Sequence, residues 1–176
     1  MTPLGRGIKT ASFTGHRLQK LPFGFDESSP GCRALKARLA QAIEGLIGEG
    51  YGDFISGGSL GSDLFAAEAV IALREKYPWA RLEVAVPFPG QADRWSPAYR
   101  ARYDDMLRQA DRRTLISPVF DKGSLFRRNR YLVDRCDCLL AVYGGLPGGT
   151  RFTVEYARQA GRRILTIEPG SGASSA

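Results

Sequence analysis

The sequence predicts an α/β fold, a single Rossmann-like three-layer domain with a mostly parallel sheet of about six strands. Short apolar runs rich in β-branched residues alternate with longer amphipathic segments, which is typical of βαβ units. No internal repeat or linker interrupts this alternation along the 176 residues, and that length fits one domain. We therefore expect residues 1–169 to form the domain and residues 170–176 to form a flexible C-terminal tail.

The predicted strands are short apolar segments, and most of them lead through a polar or glycine-rich loop into a helix. The strands comprise residues 8–14, 53–56, 82–86, 114–117, 138–143 and 163–167. The helices comprise residues 32–47, 61–77, 97–109, 124–135 and 150–159. The clearest helix is the first, in which apolar residues recur three and four positions apart and Gly48 follows the end.

Composition excludes several classes of protein. The amino terminus lacks the apolar core of a secretory signal, and no apolar run approaches the roughly 20 residues that span a bilayer, so we expect a cytoplasmic protein with no membrane partner. Cys32, Cys136 and Cys138 show no CxxC spacing and His16 is the single histidine, so we expect neither a disulfide framework nor a metal site. The net charge of +7 would suit a phosphate-bearing partner, although such a surplus is usually a solvated surface.

A glycine-rich loop follows the second predicted strand at the carboxyl edge of the sheet, where ligands of such folds bind. Its candidate binding residues are Gly57, Gly58, Ser59, Gly61 and Asp63. Glycines let backbone amides approach an anion, and the following helix terminus adds partial positive charge. The spacing matches neither the GxGxxG nor the Walker pattern. A tight turn in which Ser62 or Asp63 caps the helix explains the loop equally well.

A second glycine-rich loop, residues 144–150, also leads from an apolar strand into a helix. We expect Thr150 to be the N-cap, with Gly148, Gly149 and the free amides beyond them available to hold a phosphate. Two such loops at one edge of a sheet indicate an anion site more strongly than either does alone.

Three further segments bring polar and aromatic side chains to the same edge. They contribute Thr14, Gly15, His16 and Arg17 after the first strand, Pro87, Phe88, Gln91 and Trp95 after the third, and Arg128 with Asn129 on a helix. Phe88 or Trp95 would stack on a base and Gln91 would read its edge, although aromatics here are more often lids over the core. The arginines of residues 127–130 cannot all face one way on a helix, so one of them, with Asn129, would reach a phosphate or ribose while the others are solvated.

In this order and at these strand ends, the motifs resemble those of the SLOG superfamily of Rossmann-like nucleotide-binding proteins, most closely its YpsA-like branch of small bacterial proteins. The resemblance runs from Phe13 to Ile167. It rests on residues 13–17, 56–58, 61–63, 87–88, 91, 95, 128–130, 137 and 148–150. It implies a nucleotide-derived ligand such as ADP-ribose, and it is the only indication of a homodimer.

The chain is more distantly similar to the single-strand DNA-binding protein DprA and to the LOG phosphoribohydrolases. The LOG enzymes split a nucleoside 5′-monophosphate into base and ribose 5-phosphate, and Arg128 matches their active-site arginine by its position relative to Asp137. Their loop carries acidic residues where this chain has Phe152 and Thr153. Glu155 is the only nearby carboxylate, and a helix-surface charge is the simpler interpretation of it.

These observations favour a binder or sensor of a nucleotide-type ligand that requires no cofactor. The first alternative is a nucleoside 5′-monophosphate hydrolase with Arg128 and Glu155 as its catalytic residues, and Asp63 as another source of the carboxylate. Cleavage of an N-glycosidic bond requires such a group. The second alternative is a module that binds single-stranded nucleic acid through its basic surface, with steep dependence on salt.

Overall fold

Six strands and five α-helices alternate along residues 7–170, the part of the chain that the computed structural model describes. The strands are β1 (Lys9–Gly15), β2 (Tyr51–Ser56), β3 (Arg81–Val86), β4 (Arg112–Leu115), β5 (Cys138–Val142) and β6 (Arg163–Ile167). The helices are α1 (Pro30–Gly48), α2 (Ser62–Leu73), α3 (Pro97–Gln109), α4 (Ser124–Asp134) and α5 (Gly149–Gln159), with a short 3₁₀ helix at Leu18–Lys20. The predicted tail, residues 170–176, lies outside the described residues except for Gly170.

The strands form one parallel sheet in the order β4-β3-β2-β1-β5-β6. Helices α1, α2 and α3 cover one face, and α4 and α5 cover the other. The predicted Rossmann-like three-layer α/β fold is therefore confirmed. The strand order reverses between β1 and β5, and in folds of this kind ligands bind outside the carboxyl ends of the strands at that point.

The larger core lies between the sheet and the α1–α3 layer. Phe13 of β1 stacks on Phe54 of β2 with ring centroids 5.9 Å apart, and the buried face of α1 packs around them with Leu35, Leu39 and Ile43. Strand residues alternate between faces, so Ile55 and Ala85 point to the opposite side and contact Leu132 of α4.

Several predicted boundaries were displaced by one to four residues, and three of these shifts have a local reason. Helix α1 begins two residues earlier because the Ser29 hydroxyl caps it by accepting from the Cys32 amide at 3.2 Å, with Pro30 in the first turn. Helix α2 ends at Leu73 instead of residue 77, since Pro78 follows and disfavours helical backbone before it. Strand β4 begins at Arg112 because an edge strand tolerates exposed arginines.

Within residues 7–170, none of the helices combines the length and the apolar character needed to cross a membrane. The same residues hold no group of three or more His, Cys, Asp or Glu side chains arranged to bind a metal ion.

Candidate functional site

A crevice of about 470 Å³ opens at the carboxyl ends of β1 and β5, where the strand order reverses. Ten of the predicted site residues line it: Thr14, Gly15, His16, Arg17, Ser59, Asp63, Arg128, Asn129, Gly149 and Thr150. Five other lining residues were missed: Gln19, Lys20, Lys122, Leu125 and Phe126. The crevice therefore draws on the loops after β1, β2 and β5 and on helix α4.

Arg128 lies beneath the first glycine-rich loop and is 4% exposed. Its Nη1 donates to the Gly57 carbonyl at 2.5 Å, its Nη2 to the Ser59 hydroxyl at 3.1 Å, and its Nε to Asn129 Oδ1 at 3.1 Å. All three acceptors are neutral, and no carboxylate within residues 7–170 lies within 4 Å as an ion-pair partner. A guanidinium has five N–H groups, so two donate to no acceptor among the described residues.

Gly57 is required for this contact with Arg128. A Cβ at this position would lie 2.5 Å from Nη1 and 2.7 Å from the guanidinium carbon. Burial lowers the pKa of Arg128, and the charge of Asp63 opposes that shift. The arginine nevertheless stays charged, because its ordinary pKa is far above neutrality, and it supplies a positive charge held away from bulk water.

Asp63, in the first turn of α2, is the buried carboxylate of the crevice. Its Oδ1 has no hydrogen-bond partner in the described part of the chain. Burial raises the pKa of Asp63, while the charges of Arg128 and Arg17 and hydrogen bonds from Ser59 lower it. A buried polar atom without a partner is costly, so this oxygen has an unused capacity to accept a hydrogen bond.

His16 connects the end of β1 to the loop after β5. Its Nε2 accepts from the Gly144 amide at 3.1 Å, which assigns the proton of the neutral ring to Nδ1. Burial lowers the pKa of His16, and the positive charge of Lys20 adds to the effect. The backbone carbonyl of the same residue accepts from the Ser62 hydroxyl at 2.8 Å, so His16 positions two of the loops.

Thr150 is not the N-cap of α5 as predicted, and neither Ser62 nor Asp63, the alternative considered for the first loop, caps α2. Gly61 is the N-cap of α2 with φ of 127°, and Gly148 is the N-cap of α5 with φ of 136°. Neither cap has a side-chain hydrogen bond, and Thr150 lies inside α5. These φ values suit glycine and are strained for other residues. The first amides of α5 have no acceptor within the helix, and Gly149 and Thr150 present that terminus to the crevice.

A second cavity of about 350 Å³ adjoins the first and shares Arg17, Gln19, Ser59 and Leu125 with it. Its wall includes Phe25, Phe88, Gln91, Trp95 and Tyr99. We call this cavity the aromatic lobe and the first one the cationic lobe. Together they form a crevice in which most of the aromatic rings lie at one end, although Arg17 and Arg94 also line that end.

Residues that line the aromatic lobe are fixed by contacts to the first glycine-rich loop and to helix α3. The Gln91 amide nitrogen donates to the Tyr103 hydroxyl at 3.1 Å and to the Gly57 carbonyl at 3.4 Å. Trp95 packs edge-on against Tyr103 with ring centroids 5.2 Å apart. Pro87 is buried, and its carbonyl accepts from the Ser117 amide at 3.1 Å. Gln91 and Trp95 therefore have structural partners in addition to their exposed edges.

The remaining predicted residues lie outside the wall of the crevice. Gly58, with φ of 69°, packs against Met106 and Tyr103, and Gly61 packs against the backbone at Arg17 and Leu18. Glu155 pairs with Arg151 at 3.4 Å on α5, and its side chain is 55% exposed. Glu155 is thus a surface charge that lines neither lobe, while Asp63 is the carboxylate that lines the cationic lobe.

Comparison with solved structures identifies the DNA-processing protein DprA as similar in fold. The chain matches DprA of Streptococcus pneumoniae with a TM-score of 0.64 and 20% identity, and it covers 95% of this chain and 52% of that one. The chain also matches DprA of Helicobacter pylori, whose structure is described by its single-stranded DNA binding mode. The TM-score is 0.61 at 16% identity, and the match covers 91% of this chain and 65% of that protein. The chain thus spans about half to two-thirds of these proteins, and the likeness concerns the fold.

Sequence comparison gives a closer relationship. A UPF0398 protein of Halalkalibacterium halodurans is 34% identical over 155 residues, covering 86% of this chain and 82% of the relative. Another, of Shouchella clausii, is 36% identical over 146 residues, covering 81% and 77%. The family model named YpsA and described as the YspA SLOG family matches residues 11–167. These matches confirm the resemblance predicted from the motifs, and they show that the chain belongs to the YpsA family of SLOG proteins.

Proposed function

We propose that the protein binds a nucleotide or nucleotide-derived ligand in the crevice, as a binder or sensor. The main support for this proposal is the buried guanidinium of Arg128. Two of its N–H groups donate to no acceptor, and it has no carboxylate partner within residues 7–170. It faces the same lobe as the amino terminus of α5. Both features favour an anion.

The two lobes match the two chemical ends of a nucleotide. Phosphates would lie in the cationic lobe near Arg128, Lys20 and the first amides of α5. A base would lie in the aromatic lobe, where Phe88 and Trp95 offer ring surfaces. Each lobe lies within the range of small-molecule pockets, about 300–1,000 Å³. The adjoining lobes have room for a nucleotide-sugar such as ADP-ribose, which has two phosphates.

Isothermal titration with AMP, ADP and ADP-ribose tests this proposal. Wild-type protein is expected to bind at least one of them saturably, and Arg128→Met is expected to weaken that binding at least tenfold. Arg108→Met is the matched control, because it removes the same charge from an exposed position on α3. The absence of saturable binding to all three ligands would overturn the proposal, as would equal losses in the two variants.

Hydrolysis of a nucleoside 5′-monophosphate is a second candidate function, favoured by the location of Asp63. In this reaction water adds across the N-glycosidic bond, so that ribose 5-phosphate takes the hydroxyl and the base takes the proton. A carboxylate in the cationic lobe would stabilise the developing positive charge on the sugar. Release of adenine from AMP that disappears in Asp63→Asn but persists in Glu155→Gln would support it, and intact AMP after prolonged incubation would exclude it.

Binding of single-stranded DNA is the third candidate, since the H. pylori DprA structure is described by that activity. Exposed aromatic rings of Phe120 and Phe126 lie at the same edge of the molecule as Lys122, and aromatic rings with cations suit stacked bases and phosphates. A mobility shift that weakens steeply with salt would support this candidate. Unchanged mobility at low salt would exclude it.

A further inference from the structure

One oxygen of the Asp63 carboxylate has no hydrogen-bond partner from the protein itself. The residue is 6% exposed, and its Oδ1 has no hydrogen-bond partner in the described chain. The nearby arginines do not form a close pair with it, since no ion pair within 4 Å joins it to Arg128 or Arg17. A buried acceptor left in this state is destabilising, and a bound ligand that donates to it would remove that cost.

The chemistry of the lobe restricts which ligand group donates to Asp63. A phosphate is repelled by a carboxylate and is attracted instead to Arg128, Lys20 and the amides of α5. A base in the aromatic lobe is not adjacent, because Asp63 lines the cationic lobe and is absent from the wall of the aromatic lobe. The donor must therefore be a neutral group that connects base and phosphate.

The sugar of a nucleotide is that group. Ser59 lines both lobes, so the passage between base and phosphate runs beside it. Ser59 also contacts Arg128 at 3.1 Å, and its hydrogen bonds act on the Asp63 carboxylate. An ionised carboxylate accepts but cannot donate, and a ribose hydroxyl is a neutral donor that it can pair with.

We infer that Asp63 accepts a hydrogen bond from the ribose 2′-hydroxyl and that the crevice selects ribonucleotides over 2′-deoxyribonucleotides. This inference rests on the proposed function of nucleotide binding. A site built to hydrogen-bond a hydroxyl rejects the analogue that lacks it, because its own polar group is then left unpaired. Selection against deoxyribose would also disfavour DNA as the occupant of the crevice.

The test is a titration of the wild-type protein, with all 176 residues, with AMP and ADP and with their 2′-deoxy counterparts. We expect wild-type protein to bind the ribonucleotide of a pair at least tenfold more tightly. Asp63→Ala should bring the two affinities of a pair within about twofold, which is near 0.4 kcal/mol. Glu155→Ala is the control, since it removes the same charge from the solvent-facing side of α5 and should leave the ribose preference unchanged.

Each outcome bears on a different statement. Saturable and equal binding of AMP and dAMP by wild-type protein would overturn the inference and leave the proposed function standing. No saturable binding of any of the four nucleotides would overturn both. A ribose preference that persists in Asp63→Ala would show that Asp63 is not the group that recognises the 2′-hydroxyl. Because the wild-type comparison needs no variant, the inference remains falsifiable even if Asp63→Ala fails to fold.

Discussion

The two glycine-rich loops look alike in the sequence but differ in the structure. In the first, Gly57, Gly58, Ser59 and Gly61 are all buried, and Arg128 and Gln91 hydrogen-bond to the loop from outside. In the second, residues 144–149 are exposed. Besides contacts from α5, two hydrogen bonds to other segments hold that loop, from Lys20 to the Pro147 carbonyl at 2.7 Å and from the Gly144 amide to His16. The first loop is therefore a packed framework for charged groups, and the second presents its backbone to solvent.

Replacement of Gly61 should produce the largest effect, because it tests the packing of the first loop. In Gly61→Ala a methyl group would lie 2.8–2.9 Å from backbone atoms of Leu18, Arg17 and His16, at φ of 127°. We expect a loss of at least about 3 kcal/mol in the free energy of unfolding, measured by urea denaturation. Gly45→Ala is the control on the exposed side of α1, and it should stabilise the protein by up to about 1 kcal/mol.

Arg128→Met should be the next largest, since it removes the hydrogen bonds beneath the same loop. The Gly57 carbonyl and the Ser59 hydroxyl would lose their charged donor, at a cost of about 2 kcal/mol in urea denaturation. Lys20→Met, which releases the Pro147 carbonyl of the exposed loop, should cost under about 1 kcal/mol. Equal losses in the two variants would contradict the distinction between the loops.

His16 links the two loops, and its substitution should change the pH dependence of stability. Burial holds its pKa below the ordinary value of 6.5 in the folded state, so the unfolded chain binds the proton more readily. The stabilisation is present above pH 6.5 and is lost as the pH falls through and below that value. The loss of unfolding free energy between about pH 8 and about pH 5 should therefore be smaller in His16→Gln. Identical pH profiles would contradict this role.

Gly145→Ala tests the exposed loop with the same chemical change as Gly61→Ala. The φ at Gly145 is 91°, but an added Cβ would meet nothing within 4 Å. Only the conformational cost of a positive φ remains, about 1–2 kcal/mol. A loss as large as that of Gly61→Ala would show that the second loop is packed as tightly as the first.

Glu155→Gln should have the smallest effect. Its exposed pair with Arg151 contributes no more than about 0.5 kcal/mol to a helix, and neither lobe includes it. Stability and nucleotide affinity should therefore match those of the wild type within experimental error. A tenfold loss of nucleotide affinity would show that Glu155 belongs to the binding site.

The fold could be predicted from the sequence because each element carries a local signal. Apolar runs followed by glycine-rich loops mark β2 and β5, and the periodic apolar residues of α1 mark the face that covers the sheet. The residues at the strand ends were predictable for the same reason, since parallel topology collects them at one edge. His16 and Arg128 both reach the crevice as that argument requires.

The parts that could not be predicted depend on contacts between distant segments. Lys20 and Lys122 are ordinary surface lysines in sequence, and only the folded chain brings them to one lobe. Thr150 has the chemistry of an N-cap, but the positive φ at Gly148 starts α5 one residue before it. A sequence pattern likewise could not predict that one oxygen of Asp63 lacks a hydrogen bond, because this depends on which donors the folded chain places beside it.

The hydrogen bond from the Gly144 amide to His16 has a consequence for the entropy of binding. It fixes the start of the loop after β5, and the hydrogen bond from Lys20 to the Pro147 carbonyl fixes the loop near its end. Only Gly145 and Leu146 lie between the two attachments. Ordering one residue costs about 1–2 kcal/mol, so a ligand that settles against this loop has two residues to immobilise instead of the whole loop. The loop is therefore adjustable in its middle and preorganised at both ends.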